Sequence, residues 1–470
     1  MFLRRRRALT AGLVTALTMG LAGVVGAAPA QAADSDILAQ LKKVPGLTVV
    51  SESATPPAGY RFFMLSYTQP VDHRHPRAGK FEQRFQLLHK STDRPMVLHT
   101  SGYNVRTTAF RSEPTQLIDG NQISTEQRFF LPSRPEPADW DDLDIWQAAT
   151  DHHRLVQALK PVYSKKWIST GASKGGMTSV YHRRFYPRDV DGVVAYVAPN
   201  DPINDEDRAY DKFFDTVGTD PACRQALDDL QREALKRRPE MVARYESWAK
   251  SDNRTFNQVL GSADKAFEMT VLDTVWAFWQ YFKQADCVNV PAKTASTDDI
   301  YKFIDDVAGW AFYTDQGVLP YAPYYYQAAT QLGWPALKFE HLRGLTHYPA
   351  SFYQANSNLP KELRSRHQAW PMMDVDFWVR TQSSQMLFVY GSDDPWGAEP
   401  FHPSRRDSYR YTAPGANHGA NIAQLVPAER TAATTTLQRW ANVTAPAVTA
   451  KTLALSELDR VDPREARFPR

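Results

Sequence analysis

The chain has 470 residues, enough for two or three domains or for one large domain with an insertion. Its composition, 43% hydrophobic and 23% charged, is typical of a globular protein, without a long low-complexity segment or a fixed-period repeat. The formal net charge is +3, but four arginines (Arg4 to Arg7) lie in the first 33 residues, which contain no acid, so the remainder is near −1. A polyanion such as nucleic acid therefore has no electrostatic support as a partner.

Residues 1–33 have the pattern of a secretory signal peptide: a basic start, an apolar Gly/Ala-rich run and the small-residue end A-P-A-Q-A. Cleavage after Ala30 or Ala32 would fit. An uncleaved membrane anchor is the alternative, because the apolar run approaches spanning length. Its Thr and Gly content and its end favour cleavage, so we expect a secreted, extracellular protein without stable membrane association once the signal is removed.

The predicted elements of residues 34–202 alternate between strand and helix. Strands are predicted at 81–90, 95–102 and before residue 171, with apolar residues at helical spacing over 145–160 between the second and the third. A helix that ends at Pro187 and a continuous apolar strand at 191–199 follow. This alternation predicts an α/β fold with a mostly parallel sheet flanked by helices.

The pattern changes at about residue 203 and resumes near 373. Residues 203–372 are rich in helix formers, charge and aromatics, and we expect them to form an inserted, mainly helical lid or substrate domain. Residues 373–470 contain a strand that ends in a turn, then a short strand and a loop that enters a helix, and are predicted to complete the first domain. The tail beyond about residue 442 has no assignable structure.

The segment Gly-Ala-Ser-Lys-Gly (171–175) matches the pattern G-x-S-x-G. At average usage of Gly and Ser, roughly one chain in six of this length carries it by chance. Here it lies between a predicted strand and a predicted helix, the context of a nucleophile elbow. Ser173 is therefore the candidate nucleophile. The backbone N–H of Lys174 is a candidate oxyanion donor, together with that of Tyr103 or Gly102 in an earlier loop.

A serine nucleophile needs a base and an acid that orients the base, and in this fold they follow the serine in the order acid, then histidine. The predicted strand before GSDDPWG ends at two acids, Asp393 and Asp394, of which we prefer Asp394. His418 follows in a small-residue loop before a helix. This order predicts an α/β-hydrolase in which Ser173 attacks a carbonyl, His418 relays the proton and Asp394 holds the imidazole.

The two cysteines, Cys223 and Cys287, are expected to form one disulfide in an oxidising compartment, and two buried thiols are the alternative. Neither has His or Cys at metal-ligand spacing, and no HExxH segment or comparable cluster is present. We expect no metal and no cofactor.

Four segments together resemble the secreted actinobacterial prolyl tri- and tetrapeptidyl aminopeptidases: TQPVDHRHPRAGKFEQRF, EQRFFLPSRPEP, GASKGGMTSVYHRRFYP and GSDDPWG. They are more distantly similar to the lysosomal prolyl carboxypeptidase and dipeptidyl peptidase group. The shared positions are Asp72, His73, Phe81, Gln83, Arg84, Glu126, Arg128, Phe129, Phe130 and the Asp-Pro-Trp that begins at Asp394. The elbow departs from the lysosomal pattern, because Lys-Gly-Gly replaces Tyr-x-Gly after the serine.

The resemblance implies a serine exopeptidase that releases tri- or tetrapeptides from free N-termini and prefers to cleave after proline, so that its partners are peptide substrates. The sequence does not set the oligomeric state, and a monomer is the expectation. Glu126 is a candidate for the substrate ammonium group, although it could equally pair with Arg128 or another base to hold its loop. The motif alone leaves a secreted esterase or lipase open.

Aromatic residues are concentrated in residues 301–330, which include Trp310, Phe312, Tyr313 and Tyr324 to Tyr326. A proline pocket should be aromatic and tight, so some of these side chains could line it. The alternative is that most of them form the core of the insertion.

Overall fold

A computed structural model of the chain describes residues 37–204 and 207–444. The predicted signal peptide (1–33) and residues 445–470 lie outside the described residues. The nine strands of the described part are β1 Leu47–Glu52, β2 Arg61–Pro70, β3 Lys80–His89, β4 Met96–Thr100, β5 Asn121–Thr125, β6 Trp167–Ala172, β7 Gly192–Tyr196, β8 Met386–Gly391 and β9 Tyr409–Ala413.

These strands form a single sheet in the order β1-β2-β3-β5-β4-β6-β7-β8-β9. The six strands from β5 to β9 in this order pair in parallel. Strands β1, β2 and β3 pair antiparallel, and β3 joins the parallel part through an antiparallel pair with β5. The mostly parallel sheet with flanking helices is an α/β-hydrolase fold, which confirms the predicted fold class.

The helices of the described part are α1 Ile37–Leu41, α2 Glu113–Ile118, α3 Ile145–Leu159, α4 Lys174–Phe185, α5 Arg208–Thr216, α6 Pro221–Lys236, α7 Arg238–Ser251, α8 Ala263–Tyr281, α9 Thr297–Val307, α10 Asp315–Val318, α11 Ala322–Gln327, α12 Trp370–Thr381 and α13 Pro427–Trp440. Short 3₁₀ turns occur at Trp140–Asp142, Gln284–Asn289, Leu319–Tyr321, Glu340–Leu342, Ala350–Phe352, Ala355–Asn358, Lys361–Leu363, Pro395–Gly397 and Ile422–Gln424, and a π turn at Ala328–Leu332.

Helices cover both faces of the sheet. Residues of α3, α4 and α12 share one hydrophobic core with one face of the strands, while residues of α2 and α13 share another core with the opposite face. All residues of β7 and β8 are buried, as the continuous apolar runs in both segments require when helices cover the two faces. This double cover leaves the carboxyl ends of the parallel strands as the edge on which a site can be built.

Between β7 and β8, the described residues contain helices and turns but no strand. Their side chains form a separate core that is rich in aromatic residues, including Tyr245, Phe267, Trp276, Trp310 and Tyr325. Helix α12, in contrast, packs on the sheet, since Met372, Val375 and Val379 belong to the core beneath it. The boundaries of the insertion, 203 and 372, stay a prediction.

Cys223 of α6 and Cys287 of the turn after α8 are joined by a disulfide, with their Cα atoms 5.5 Å apart, which confirms the expected pairing. The bridge closes a loop of 64 residues in which α7 and α8 lie. In the part of the chain that the structure describes, no helix combines the length and the apolar character needed to cross a membrane.

We expect the double variant Cys223→Ser/Cys287→Ser to unfold at a lower urea concentration than the oxidised wild type. Freeing a 64-residue loop increases the entropy of the unfolded chain, and a disulfide of this kind contributes about 2–4 kcal/mol. The wild type with a reductant is the matched control and should unfold at the midpoint of the variant. A variant as stable as the oxidised wild type would contradict this expectation.

Candidate active site

Ser173 lies in a sharp turn between the end of β6 and the first residue of α4. Its backbone has φ 55° and ψ −128°, a conformation that a residue with a side chain rarely adopts. Two hydrogen bonds hold it there: its N–H donates to the carbonyl oxygen of Tyr196 (3.0 Å), and its own carbonyl accepts from the N–H of Met177 (3.0 Å). The turn therefore has the strained geometry of a nucleophile elbow.

The small residues around Ser173 are required by close backbone approaches. A Cβ on Gly175 would lie 2.3 Å from the carbonyl oxygen of Thr100, and a Cβ on Gly171 would lie 2.3 Å from the carbonyl oxygen of Gly175. Both contacts are with backbone atoms, which cannot move away as a flexible side chain could. Any larger residue at either position would push α4 away from β4 and β6.

Lys174 joins the start of α4 to the loop that follows β4. Its side chain is buried, and its Nζ donates to the carbonyl oxygen of Gly102 at 2.6 Å. The ammonium group also lies 5.5 Å from the ring centre of Tyr103 and 5.7 Å from that of Phe130. Burial lowers the pKa of the Lys174 ammonium well below its usual value. The backbone N–H of Lys174 is among the first of its helix and has no intrahelical acceptor.

Tyr103 reaches the candidate nucleophile with its side chain. Its backbone N–H donates to the hydroxyl of Ser101 (3.1 Å), so that the N–H predicted to face an oxyanion already has an acceptor. The side-chain hydroxyl of Tyr103 interacts with that of Ser173. Burial raises the pKa of Tyr103 well above its usual value, although the contact with Ser173 lowers it, and the phenol stays protonated. The structure thus places the hydroxyl of Tyr103, rather than its N–H, at Ser173.

Asp394 and His418 are in direct contact. Asp394 is buried in the turn after β8, where its Oδ1 accepts the N–H of Trp396 (3.1 Å) and its Oδ2 accepts from Nδ1 of His418 (2.8 Å). The backbone N–H of His418 donates to the carbonyl oxygen of Gln280 (3.1 Å) in α8. Within the described residues, Nε2 of His418 has no hydrogen-bond partner. An imidazole oriented in this way has one nitrogen held by the acid and the other left to accept a proton.

Asp393, the other candidate acid, makes hydrogen bonds within the turn, and its side chain has none with His418 in the described part of the chain. Its N–H donates to the carbonyl oxygen of Ala416 (2.9 Å), and its Oδ1 accepts from the hydroxyl of Ser392 (2.8 Å).

Because β6, β8 and β9 run parallel in one sheet, Ser173, Asp394 and His418 all follow strands that end at the same edge.

Glu126 is buried, and both of its carboxylate oxygens have partners. Oε2 accepts from the guanidinium group of Arg84 and from the N–H of Val105 (3.0 Å), and Oε1 accepts from the hydroxyl of Ser133 (2.8 Å). These contacts hold the loops after β4 and β5 together. They support the structural alternative for Glu126, with Arg84 rather than Arg128 as its basic partner, and leave no free oxygen for a substrate ammonium group.

The other basic residue of this motif, Arg128, forms a buried ion pair with Asp151 of α3. Two nitrogens of the guanidinium bind the two carboxylate oxygens at 2.7 and 2.8 Å, and Nε2 of His73 binds Oδ1 of the same carboxylate at 2.7 Å. Burial alone would raise the pKa of Asp151, but the Arg128 guanidinium lowers it below its usual value. These shared motif residues therefore fasten the antiparallel strands to α3 beside the site.

A cavity of about 280 Å³ lies in the insertion beside the candidate site, where the rings of two lining residues, Tyr324 and Trp396, are 5.5 Å from Tyr103 and 6.3 Å from His418. Aromatic and acidic side chains line most of it: Asp273, Trp276, Tyr281, Asp305, Asp306, Phe312, Tyr313, Tyr324, Tyr325, Trp334, Tyr353 and Trp396. Two of the aromatics singled out in the sequence lie elsewhere. The indole of Trp310 donates to the carbonyl oxygen of Tyr301 in the core (3.0 Å), and the hydroxyl of Tyr326 donates to Asp141 (3.2 Å).

Sequence reasoning missed Asp273, Trp276 and Trp334. Asp273 did leave a signal, because it is the single charged residue in the stretch MTVLDTVWAFWQY (269–281). No comparable signal distinguished the two tryptophans from core residues. In residues 37–204 and 207–444, no cluster of His, Cys, Asp and Glu is suited to hold a metal ion.

Comparisons with known proteins agree with this geometry. The family model described as PS-10 peptidase S37 matches residues 30–467. A prolyl tri/tetrapeptidyl aminopeptidase of Streptomyces mobaraensis is 56% identical over 472 residues, covering 97% of this chain and 98% of the relative.

Solved structures show more distant likenesses. A proline iminopeptidase of Mycobacterium smegmatis is 12% identical, with a TM-score of 0.33, over 83% of this chain and 99% of its own. A thermophilic esterase from Thermogutta terrifontis is 14% identical, with a TM-score of 0.33, over 80% of this chain and 98% of its own. At this level they carry no argument about activity.

We expect Glu126→Gln to lower the free energy of unfolding by about 1.5–3 kcal/mol, because hydrogen bonds to a buried charge are lost. Chemical denaturation measures the effect. Glu82→Gln is the matched control, since Glu82 lies on the same strand as Arg84 but is exposed, and it should change stability by no more than about 0.5 kcal/mol. Equal effects of the two variants would contradict the structural role of Glu126.

Proposed function

The chain belongs to the peptidase S37 family and is a serine peptidase on an α/β-hydrolase fold, and from this premise we propose that it is a secreted exopeptidase. It releases tri- or tetrapeptides from free N-termini, prefers to cleave after proline and works through an acyl-enzyme on Ser173. The observation that carries the proposal is the 2.8 Å hydrogen bond between Asp394 and His418 at the sheet edge where the strained turn holds Ser173. The activity named for the Streptomyces mobaraensis relative supports the substrate class.

In the first half of the proposed reaction, Oγ of Ser173 attacks the carbonyl carbon of the residue before the scissile bond. Nε2 of His418 takes the hydroxyl proton, and Asp394 stabilises the imidazolium through Nδ1. The electron pair of the carbonyl moves onto its oxygen. The N–H of Lys174 and the hydroxyl of Tyr103 are the donors that stabilise this oxyanion. Because the Tyr103 phenol is held protonated by burial, it can donate without becoming charged.

In the second half, the tetrahedral intermediate collapses and the C–N bond breaks. His418 gives its proton to the departing amine, which leaves as the shortened peptide with a new free N-terminus. Water then attacks the ester carbonyl of the acyl-enzyme, with His418 again as the base, and Ser173 recovers its proton as the released tri- or tetrapeptide departs.

Two features support secretion. The first 33 residues have the pattern of a signal peptide, and Cys223 and Cys287 form a disulfide, which persists mainly in oxidising compartments. Peptides are the proposed substrates, and nothing in the proposed mechanism requires a cofactor.

A peptide panel tests the substrate class. We expect Ala-Ala-Pro-p-nitroanilide with a free N-terminus to be cleaved, its N-acetyl form to be cleaved far more slowly, and Ala-Ala-Ala-p-nitroanilide to be a poorer substrate than the proline peptide. Ser173→Ala should abolish turnover and fluorophosphonate labelling while leaving the thermal midpoint within a few degrees of the wild type. Fast turnover of simple esters with no cleavage of the proline amides would overturn the proposal in favour of an esterase or lipase.

Tyr103→Phe tests the oxyanion role of the phenol. Removing one preorganised donor is expected to lower kcat roughly 10²- to 10³-fold with little change in KM, because the bond strengthens in the transition state. Tyr409→Phe, a partly exposed tyrosine of β9, is the control and should keep wild-type kinetics. A loss confined to KM would show that Tyr103 only shapes the binding site.

A further inference from the structure

The cavity beside the catalytic residues follows one face of α8. Asp273, Trp276, Ala277 and Gln280 all line it, and their spacing of three and four residues places them on the same side of the helix. At the end nearest the catalytic residues, the carbonyl oxygen of Gln280 accepts the backbone N–H of His418. Asp273 lies two helical turns farther into the insertion. The face of α8 thus leads from the catalytic histidine to a carboxylate.

The charge of this cavity is entirely negative. Its lining includes Asp273, Asp305 and Asp306, and no Lys, Arg or His among the described residues. Asp306 pairs with Lys302, and Oδ1 of Asp305 accepts the backbone N–H of Trp310. Asp273 has no basic partner in the described part of the chain. The hydroxyl of Tyr353 donates to its Oδ1 at 2.6 Å, and the side chain of Tyr313 also interacts with its carboxylate. A positively charged group on a ligand would supply the missing partner.

The same cavity contains unused hydrogen-bond donors. The indole N–H groups of Trp276, Trp334 and Trp396 are buried and have no acceptor among the described residues. Trp276 is 3% exposed and Trp334 is 6% exposed. A buried donor without an acceptor costs free energy, so three such donors on residues that line one cavity favour a ligand that brings acceptors with it. The carbonyl groups of a peptide are such acceptors, and the apolar faces of the rings suit proline.

The length of the path matches a short peptide. From Asp273 to Gln280 the helix rises by about 10 Å, at 1.5 Å per residue over seven residues. An extended peptide advances about 3.3 Å per residue, so three residues span about 10 Å and four span about 13 Å. The stretch of α8 between Asp273 and Gln280, whose carbonyl oxygen accepts the backbone N–H of His418, therefore has the length of a peptide of three or four residues.

From these observations we propose that Asp273 binds the α-ammonium group of the substrate, and that its separation from His418 limits the released peptide to three or four residues. The inference rests on the proposed exopeptidase function and assigns the N-terminal anchor to Asp273 in place of Glu126. The carbonyl groups of the peptide, between Asp273 and His418, accept hydrogen bonds from the indoles of Trp276, Trp334 and Trp396.

The ionisation of Asp273 adds a second readout, the pH dependence of the preference for a free N-terminus. Burial raises the pKa of Asp273 to about 6, although the hydroxyls of Tyr353 and Tyr313 lower it. The other titratable groups around it are Tyr281, Tyr324 and Tyr325, whose pKa values are raised by burial so that they stay neutral, and the rim acids Asp305 and Asp306. An ammonium group needs the ionised carboxylate, so the preference for a free N-terminus should fall as the pH drops through about 6.

The experiment compares Asp273→Asn with the wild type on Ala-Ala-Pro-p-nitroanilide, free and N-acetylated. For the free peptide, kcat/KM should fall roughly 10- to 100-fold, mainly through KM, because a hydrogen-bonded charge pair is lost. Turnover of the acetylated peptide should stay unchanged, which also shows that the variant is folded. The ratio of the two kcat/KM values should fall below pH about 6 in the wild type but stay flat in the variant.

Asp305→Asn is the matched control, because Asp305 is an exposed acid on the rim of the same cavity and its loss should change neither substrate by more than about twofold. Wild-type release of a dipeptide or a pentapeptide that ends in proline as efficiently as Ala-Ala-Pro would overturn the length assignment. If Asp273→Asn fails to fold, Tyr353→Phe provides the second variant: it removes a donor to Asp273 and should move the fall of the ratio to higher pH.

The outcomes separate this inference from the function on which it rests. A wild type that cleaves free and acetylated peptides equally would contradict the aminopeptidase itself. A wild type that discriminates, with an Asp273→Asn variant that discriminates equally well, would leave the aminopeptidase intact and refute Asp273 as its anchor.

Discussion

The close approach between the loop after β4 and the N-terminus of α4 is the constraint on which the rest of the site depends. Backbone atoms of Thr100, Gly102 and Gly175 meet at distances that leave no room for a side chain on either glycine. This contact forces the positive φ of Ser173 and brings Tyr103 against its hydroxyl. The buried ammonium of Lys174, bound to the carbonyl oxygen of Gly102, holds the two segments at this distance.

Buried polar networks extend this arrangement outward from the elbow. The ion pair of Arg128 with Asp151 and the contacts of Glu126 fasten the strands and loops beside Tyr103 to α3 and to one another. Removing one partner of such a pair leaves an uncompensated buried charge, which is strongly destabilising. The motif residues that resemble a peptidase family are therefore, for the most part, supports of the loop that carries Tyr103 rather than groups at the reacting bond.

The insertion completes the site from the other side. Its helix α8 contacts the catalytic histidine through Gln280 and supplies most of one wall of the aromatic cavity. The sheet and its loops thus provide Ser173, Asp394 and His418, the groups that we propose for acyl transfer. The insertion provides the carboxylate of Asp273 and the indoles of Trp276 and Trp334, which bind the substrate in the proposed function. In that proposal, the shared fold supplies the reacting groups and the insertion supplies the selectivity.

The sequence by itself determined the α/β fold, the disulfide and the candidates Ser173, Asp394 and His418. Each of these follows from local signals: apolar periodicity, small residues around a serine, and the order of acid and histidine after strands. It could not decide between the N–H and the hydroxyl of Tyr103, the role of Glu126 or the identity of the cavity residues. Those depend on contacts between segments far apart in the chain, such as Asp273 with Tyr353 or Glu126 with Arg84. An aromatic or acidic residue has the same local pattern in a core as in a cavity, so only the tertiary packing, which sets its neighbours and leaves some polar groups without partners, distinguishes the two.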